Sequence, residues 1–219
     1  MGCWVIFDLD GTLIESEQVW RDVRRDFVLA HGGRWTDDAQ TTMIGMRTGE
    51  WARYIHDDLG VALALDEIAR DVAAAVARRL SEHLPYLPGA SEVLERLSLS
   101  FPLALATSAS RIVAETVIAT ANWQRYFQVV VSADDVARGK PAPDVYLRAL
   151  ELTGADPRVS VAIEDSTNGI KSAYAAQLAV IAVPNREFRP ESSALALATV
   201  VVSSLDRIDA RLVTQAIAR

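Results

Sequence analysis

The sequence predicts an α/β protein with a doubly wound parallel sheet of the Rossmann-like type and an inserted α-helical cap domain. Three observations lead to this prediction. Short apolar runs rich in Val and Ile recur along the chain, which is typical of strands buried on both faces. From residue 88 onward these runs alternate with helix-like segments. The stretch 16–84 interrupts the alternation with helical patterns alone.

The composition limits the class of protein. The chain has 219 residues, of which 50% are hydrophobic and 23% are charged, so it can bury a sizeable core and is not a disordered scaffold. A formal net charge of −7 disfavours a nucleic-acid partner. The single cysteine, Cys3, excludes an internal disulfide and fits a reducing compartment. No apolar run reaches the ~18 residues of a membrane span, and the first residues lack the basic region of a signal peptide. We expect a cytoplasmic monomer with no membrane partner.

Six apolar runs predict the strands of the sheet. They lie at residues 4–7, 103–106, 129–131, 159–163, 179–183 and 200–202. Helix-like segments at residues 91–97, 112–120, 145–152 and 170–176 fill the spaces between them. Pro143 precedes one of these segments, where the first helical turn tolerates proline, and Gly154 follows it, where a helix end favours glycine. Repeated strand–helix units with short connections predict a doubly wound sheet.

The stretch between the first two predicted strands has a helical pattern. Two sets of apolar residues mark helix faces: Val19, Trp20, Val23 and Phe27, and then Ile68, Val72, Val76 and Leu80. A third helix is predicted over residues 48–59. We therefore expect residues 1–15 and 86–219 to form the catalytic core, with residues 16–85 as a helical cap domain in the first crossover. The alternative, that these helices simply cover the sheet, stays open here.

Polar side chains follow four of the predicted strands. In chain order they are Asp8 and Asp10, Thr107 and Ser108, Lys140, and Glu164 and Asp165. In an open parallel sheet the ligand site lies beyond the carboxyl ends of the strands. We therefore expect these seven side chains to meet at one edge of the sheet.

The residue types at this edge point to phosphate chemistry. Four carboxylates that lie close together repel one another unless a cation neutralises them, and oxygen ligands select a hard divalent ion such as Mg²⁺. Lys140 can hold a substrate anion, and Thr107 or Ser108 can donate a hydrogen bond to it. One carboxylate can attack phosphorus while a protonated neighbour supplies the proton to the leaving oxygen.

These residues stand in four motifs that resemble those of the haloacid dehalogenase superfamily. The resemblance is to its phosphoglycolate phosphatase and β-phosphoglucomutase branch, and it covers essentially the whole chain. The first two motifs are Phe7-Asp8-Leu9-Asp10-Gly11-Thr12-Leu13 and Ala106-Thr107-Ser108. The other two are Gly139-Lys140-Pro141-Ala142-Pro143-Asp144 and Ile163-Glu164-Asp165-Ser166-Thr167-Asn168-Gly169-Ile170.

The resemblance implies a Mg²⁺-dependent phosphatase that hydrolyses a small phosphorylated metabolite through an aspartyl-phosphate. Asp8 would be the nucleophile, and Asp10 the general acid and then the base for water. Thr107, with Ser108 beside it, and Lys140 would hold the transferring phosphoryl group. Asp8, the Asp10 carbonyl and Asp165 would bind the metal, with Glu164 as a ligand or as a neighbour that supports the ligands.

Two segments refine the expected substrate. Residues 13–20 are similar to those of sugar- and hexitol-phosphate phosphatases, although Glu15 stands where these usually have aspartate. Arg47 lies in a glycine-flanked loop of the predicted cap, where a guanidinium suits a phosphate or a sugar oxygen. We therefore expect sugar or polyol phosphates as substrates, with Arg47 as a substrate contact.

Four alternatives to this interpretation differ from it in residues that can be read from the sequence. Dehalogenases of the superfamily lack the second aspartate, which is Asp10 here, and phosphonatases need a cap lysine, whereas residues 16–84 contain none. A β-phosphoglucomutase-type mutase stays open, although its cap histidine is replaced by Trp20. A receiver domain would have its acidic pair on the first strand, before the lysine. A non-catalytic protein that binds a phosphorylated ligand is the remaining alternative.

Overall fold

The sheet has the arrangement that the apolar runs predict. A computed structural model describes residues 2–44, 46–185 and 188–218, and in these ranges six parallel strands form one sheet in the order β3-β2-β1-β4-β5-β6. The strands are β1 Val5–Phe7, β2 Leu103–Ala106, β3 Phe127–Val131, β4 Val161–Glu164, β5 Ala179–Ala182 and β6 Val200–Val201. Strand β1 pairs with β2 on one side and with β4 on the other. The strand order reverses at this point, which is where such sheets bind ligands.

Two strand boundaries differ from the predicted ones by more than one residue. Strand β3 begins at Phe127, two residues before the predicted run. Strand β4 begins at Val161, because Val159 lies in a short 3₁₀ turn. The Asp156 side chain caps this turn by accepting a hydrogen bond from the backbone N–H of Arg158 at 3.0 Å. Local side-chain capping therefore overrides the apolar character of Val159.

Ten helices surround the sheet in the described ranges. They are α1 Glu17–Ala30, α2 Ala39–Met43, α3 Thr48–Asp57, α4 Leu65–Glu82, α5 Ala90–Ser98, α6 Arg111–Thr120, α7 Asp144–Thr153, α8 Thr167–Ala175, α9 Ser192–Leu195 and α10 Ala210–Ile217. Helix α3 ends two residues earlier than predicted, before Gly60, whose φ is +78°. In the part of the chain described, no helix has both the length and the apolar character needed to cross a lipid bilayer.

The apolar core covers both faces of the sheet. Val5 and Phe7 of β1 belong to one cluster, and Ile6 between them belongs to the other, as the alternation of side chains along a strand requires. The first cluster continues into the helices before β2, where it includes Trp51 and Leu80. Helix α4 packs against α6. The helices α1–α4 thus share an apolar core with one face of the sheet, and their separation as a cap domain stays a prediction.

The two connections between the sheet and helices α1–α4 lie side by side. The backbone N–H of Glu15 donates to the Pro85 carbonyl at 2.8 Å, and that of Leu87 donates to the Leu13 carbonyl at 3.0 Å. An isolated antiparallel bridge joins Ile14 and Tyr86 between them. The chain therefore leaves the sheet and returns to it through one hydrogen-bonded pair of segments.

Leu80 offers a test of the shared core. Its side chain is fully buried in α4, so we expect Leu80→Ala to lower the free energy of unfolding by about 2–5 kcal/mol through lost contacts and a residual cavity. The control is Leu99→Ala, because Leu99 is 83% exposed and its loss should change stability by no more than about 0.5 kcal/mol. Urea unfolding followed by circular dichroism measures both, and equal effects would contradict the assignment of Leu80 to the core.

Candidate active site

Three buried acidic side chains meet at the carboxyl ends of β1 and β4. Asp8 directly follows β1, and its backbone N–H donates to the Ile163 carbonyl of the neighbouring strand at 3.0 Å. Glu164 ends β4, and Asp165 follows it. Carboxylate oxygens of Asp8, Glu164 and Asp165 lie within 4.8 Å of one another. The sheet topology therefore brings together three of the four acids that the sequence placed after these two strands.

Lys140 supplies the counter-charge inside this cluster. Its Nζ lies 2.6 Å from Asp8 Oδ1 and 2.6 Å from Glu164 Oε1, and it also donates to the Ala106 carbonyl at 3.1 Å. The side chain is buried. Burial alone would lower the pKa of Lys140, but the charges of Asp8 and Glu164 outweigh it and raise that pKa above its usual value. Lys140 is thus a fixed cation at the site.

The carboxylate of Glu164 is surrounded by protein donors. Oε1 accepts hydrogen bonds from Lys140 Nζ and from the Tyr146 hydroxyl, the latter at 2.7 Å. Oε2 accepts from the backbone N–H groups of Asp165 and Ser166 at 3.1 and 3.4 Å. A methyl group added to Gly169 in the first turn of α8 would lie 1.9 Å from Oε2. Since these donors occupy both oxygens, Glu164 is better placed to orient Lys140 than to coordinate a metal.

The remaining two acids, Asp8 and Asp165, are poorly compensated. Burial raises the pKa of Asp8 to about 7, with the charges of Glu164 and Asp10 adding to the rise and Lys140 opposing it. Burial also raises the pKa of Asp165 well above its usual value, assisted by Glu164 and Asp8. Burial disfavours the charged form of these carboxylates, and a hard divalent cation bound to their oxygens would stabilise it. The site therefore fits a hard divalent cation.

Asp10 lies beside this cluster and is oriented by helix α1. Its carboxylate accepts a hydrogen bond from the hydroxyl of Ser16, the residue before α1. Burial raises the pKa of Asp10, whereas hydrogen bonds from Ser16 and from the Trp20 side chain lower it. Asp10 thus points toward the helical segment formed by α1–α4. Its side chain does not belong to the cluster of Asp8, Glu164 and Asp165.

A cavity of about 560 Å³ opens onto these residues. Asp8, Asp10, Asp165 and Lys140 line it, together with both Thr107 and Ser108. Thr107 Oγ1 accepts a hydrogen bond from the Ala109 backbone N–H at 3.0 Å. Six of the seven residues predicted from the strand ends thus border one cavity, and the seventh, Glu164, lies behind Lys140.

Arg47 is not brought into the cavity lining. It precedes α3, its side chain is 45% exposed, and its Nε lies 3.2 Å from Glu50 Oε1. Its guanidinium also donates to the Ala137 carbonyl, next to the loop that carries Lys140. The helical segment presents Arg24 to the cavity instead.

Sequence reasoning missed several residues at this site. Arg24, Glu17 and Trp51 line the cavity from helices α1 and α3. The four-residue spacing of Ser16, Trp20 and Arg24 places them on one helix face and could have drawn attention to Arg24. Tyr146 was missed because its apolar neighbours in α7 are typical of a core face.

Comparison with known proteins agrees with this geometry. Residues 5–183 match the family model described as haloacid dehalogenase-like hydrolase. CbbY of Rhodobacter capsulatus is 35% identical over 198 residues, which cover 84% of this chain and 86% of that protein. Hexitol phosphatase B of Escherichia coli K12 is 31% identical over 212 residues, covering 94% of each chain. The crystal structure of CbbY from Rhodobacter sphaeroides with phosphate has a TM-score of 0.88 at 26% identity, covering 98% of this chain and 100% of that one.

One relative is much longer than this chain. The bifunctional riboflavin kinase/FMN phosphatase of Arabidopsis thaliana is 33% identical over 183 residues, which are 83% of this chain and 48% of that protein. The chain therefore spans about half the length of that relative.

Gly11 offers a test of how tightly Asp165 is held. Gly11 has a φ of +83°, and a Cβ there would lie 2.2 Å from Asp165 Oδ2. Gly32 has a similar φ of +75° with no neighbour within 4 Å, so Gly32→Ala should cost only backbone strain, about 1–2 kcal/mol. Gly11→Ala should cost roughly a further 1–3 kcal/mol, because the buried Asp165 must move and lose its bond from Thr12. If chemical denaturation gave equal losses of unfolding free energy for the two variants, the Asp165 side chain would be free to move without cost.

Proposed function

This chain belongs to the haloacid dehalogenase-like hydrolase family, and we propose that it is a magnesium-dependent phosphatase of small sugar or polyol monophosphates. One observation carries the proposal. Asp8 lies at the cavity with Oδ1 held by Lys140 at 2.6 Å, while Asp10 lies beside it and accepts a hydrogen bond from the Ser16 hydroxyl. A fixed nucleophile and a separate acid–base residue are what two-step phosphoryl transfer requires.

Each residue has a defined part in the reaction. An Asp8 carboxylate oxygen attacks phosphorus, the bond from phosphorus to the ester oxygen breaks, and Asp10 delivers a proton to that oxygen. Asp10 then removes a proton from water, which attacks phosphorus and breaks its bond to Asp8. Lys140 and the hydroxyl of Thr107 or Ser108 hold the phosphoryl oxygens during both steps. The raised pKa of Asp10 suits a group that must be protonated in the first step.

The metal would be held by Asp8 and Asp165, with the Asp10 carbonyl as the resemblance implies. Bound there, it would neutralise the carboxylates and the phosphoryl group that approaches them. Glu164 accepts hydrogen bonds from Lys140 and Tyr146. In this proposal it therefore positions the lysine and is not a main ligand.

The substrate class rests on the relatives and on the cavity. Relatives at 30–32% identity are a phosphorylated carbohydrates phosphatase of Thermotoga maritima and a fructose-1-phosphate phosphatase of Escherichia coli. The cavity of about 560 Å³ is within the size range of sites for small ligands. Helices α1–α4 would act as the cap that closes over such a substrate.

Trp20 favours hydrolysis over a phosphosugar mutase reaction. The mutases that this chain resembles have a histidine at this position, which works with the second aspartate. The indole of Trp20 lines the same cavity as Asp10, but it can only donate a hydrogen bond and does not act as an acid or a base at neutral pH. Water therefore remains the acceptor of the phosphoryl group.

The nucleophile and the metal can be tested together. We expect Asp8→Asn to lower phosphate release from p-nitrophenyl phosphate by about a thousandfold or more, because an amide oxygen is a poor nucleophile. The change is nearly isosteric, so circular dichroism should match that of the wild type. Excess EDTA should abolish turnover and added Mg²⁺ should restore it. Turnover that persists in Asp8→Asn or in EDTA would exclude this mechanism.

Phosphatase activity and mutase activity can be distinguished with one substrate. Incubation with β-glucose 1-phosphate and a trace of glucose 1,6-bisphosphate should release free phosphate without forming glucose 6-phosphate, since the Trp20 indole cannot act as an acid or a base. Coupled assays for phosphate and for glucose 6-phosphate measure the two products in parallel. Efficient isomerisation without phosphate release would assign the protein as a mutase.

A further inference from the structure

Arg24 is a buried cation in the wall of the cavity. Its residue surface is 5% exposed, and it lines the cavity with Trp20 and Trp51. The guanidinium carbon lies 4.6 Å from the ring centroid of Trp20 and 5.2 Å from that of Trp51. The two indoles favour the charge and fix the guanidinium between them. The orientation of Arg24 is therefore set before any ligand binds.

Most of the hydrogen-bonding capacity of Arg24 is unused. Among the described residues it makes one hydrogen bond, from Nη1 to Gln40 Oε1 at a long 3.4 Å, and its Nε has no partner. A guanidinium has five N–H donors, and burying them without acceptors is unfavourable. Nε itself is inaccessible, so a ligand that brings oxygen acceptors to the terminal NH₂ groups would relieve part of this cost.

Glu17 places an acceptor beside these donors. Gln40 links the two residues, because its Nε2 donates to Glu17 Oε2 at 2.9 Å while its Oε1 accepts from Arg24. Glu17 lines the same cavity. The charges of Arg24 and Glu17 offset each other, so this region offers donors and acceptors without a net positive charge.

This combination favours hydroxyl groups over anions. A hydroxyl can accept a hydrogen bond from Arg24 and donate one to Glu17, and the indole faces suit the C–H groups of a carbohydrate chain. A second phosphate or a carboxylate would be attracted by Arg24 but repelled by Glu17. Arg24 and Glu17 thus form a hydroxyl-binding pair.

We propose that Arg24 and Glu17 select phosphomonoesters whose other end is uncharged and carries hydroxyl groups, and that they discriminate against a second anionic group. The proposal rests on the phosphatase function proposed above and narrows its substrate class. It distinguishes this chain from a CbbY of Rhodobacter sphaeroides, whose D10N mutant was crystallised with xylulose-(1,5)bisphosphate.

The wild-type protein gives the first measurement. Sorbitol 6-phosphate and 6-phosphogluconate have the same carbon chain and differ at the far end, where one has a hydroxymethyl group and the other a carboxylate. We expect kcat/KM to be at least about tenfold higher for sorbitol 6-phosphate. A smaller difference, or a preference for 6-phosphogluconate, would overturn the proposal.

Two variants then assign the selectivity to this pair. Arg24→Gln should lower kcat/KM for sorbitol 6-phosphate at least about tenfold more than for p-nitrophenyl phosphate, which lacks hydroxyl groups. Glu17→Gln removes the repelling charge and should raise the ratio of 6-phosphogluconate to sorbitol 6-phosphate activity. Arg25→Gln is the matched control, since Arg25 is on the same helix with a side chain 43% exposed, and it should leave both ratios unchanged. If Arg24→Gln fails to fold, the wild-type ratio and Glu17→Gln decide the outcome.

Binding separates this proposal from the proposed function. In Asp8→Asn, calorimetric titration in Mg²⁺ should show tighter binding of sorbitol 6-phosphate than of 6-phosphogluconate, and Glu17→Gln in that background should reduce the difference. If no ester is hydrolysed but this binding order holds, the phosphatase function fails and the selectivity stands. If p-nitrophenyl phosphate is hydrolysed through Asp8 while Arg24→Gln affects all esters equally, the selectivity is overturned and the phosphatase function stands.

Discussion

The rest of the site depends on the hydrogen bonds made by the ammonium group of Lys140. A lysine has three N–H donors, and here the nearest acceptors come from three adjacent strands. They are the carbonyl of Ala106 at the end of β2, the carboxylate of Asp8 after β1, and the carboxylate of Glu164 at the end of β4. The strand order β2-β1-β4 places these acceptors side by side. One buried cation thus joins the sheet topology to the reactivity of Asp8, because it holds one oxygen of the carboxylate in place.

Helix α1 links this core to the helical segment. Ser16 donates a hydrogen bond to Asp10, Trp20 lines the cavity beside Asp10, and Arg24, one turn further along, is held against Trp20. The same helix face therefore orients Asp10, the proposed acid–base residue, and lines the cavity proposed for the substrate. A substrate that displaced this helix would also change the surroundings of Asp10, so the proposed binding and proton transfer would be coupled through α1.

The sequence was most informative where chain order alone determines position. Parallel strands bring their carboxyl ends to one edge, so the residues after β1, β2 and β4 could be assigned to a common site before any coordinates were known. The five-residue helix α2 is too short to produce a periodic pattern, and it was missed. The start of β4 was misplaced because the Asp156 cap competes locally with an apolar run.

Side-chain roles that depend on tertiary contacts could not be predicted in this way. Arg47 and Arg24 are both arginines of the helical segment, and only packing decides that Arg24 lines the cavity while Arg47 lies outside its lining. Tyr146 is surrounded by apolar residues in α7, and its partner Glu164 is 18 positions away along the chain. Nothing in the local pattern indicates that a core tyrosine donates to a buried carboxylate.

The paired connections around Ile14 and Tyr86 define how this chain can be recombined with its relatives. A graft that replaced the residues between them would keep both junctions, since the hydrogen bonds that join the connections are made by backbone groups. The graft would also have to supply the face of α4 that packs against α6. The unit of recombination is therefore larger than the insertion seen in the sequence. It consists of helices α1–α4 together with a matching surface on α6. A graft intended to exchange substrate specificity between family members would therefore have to transfer both parts.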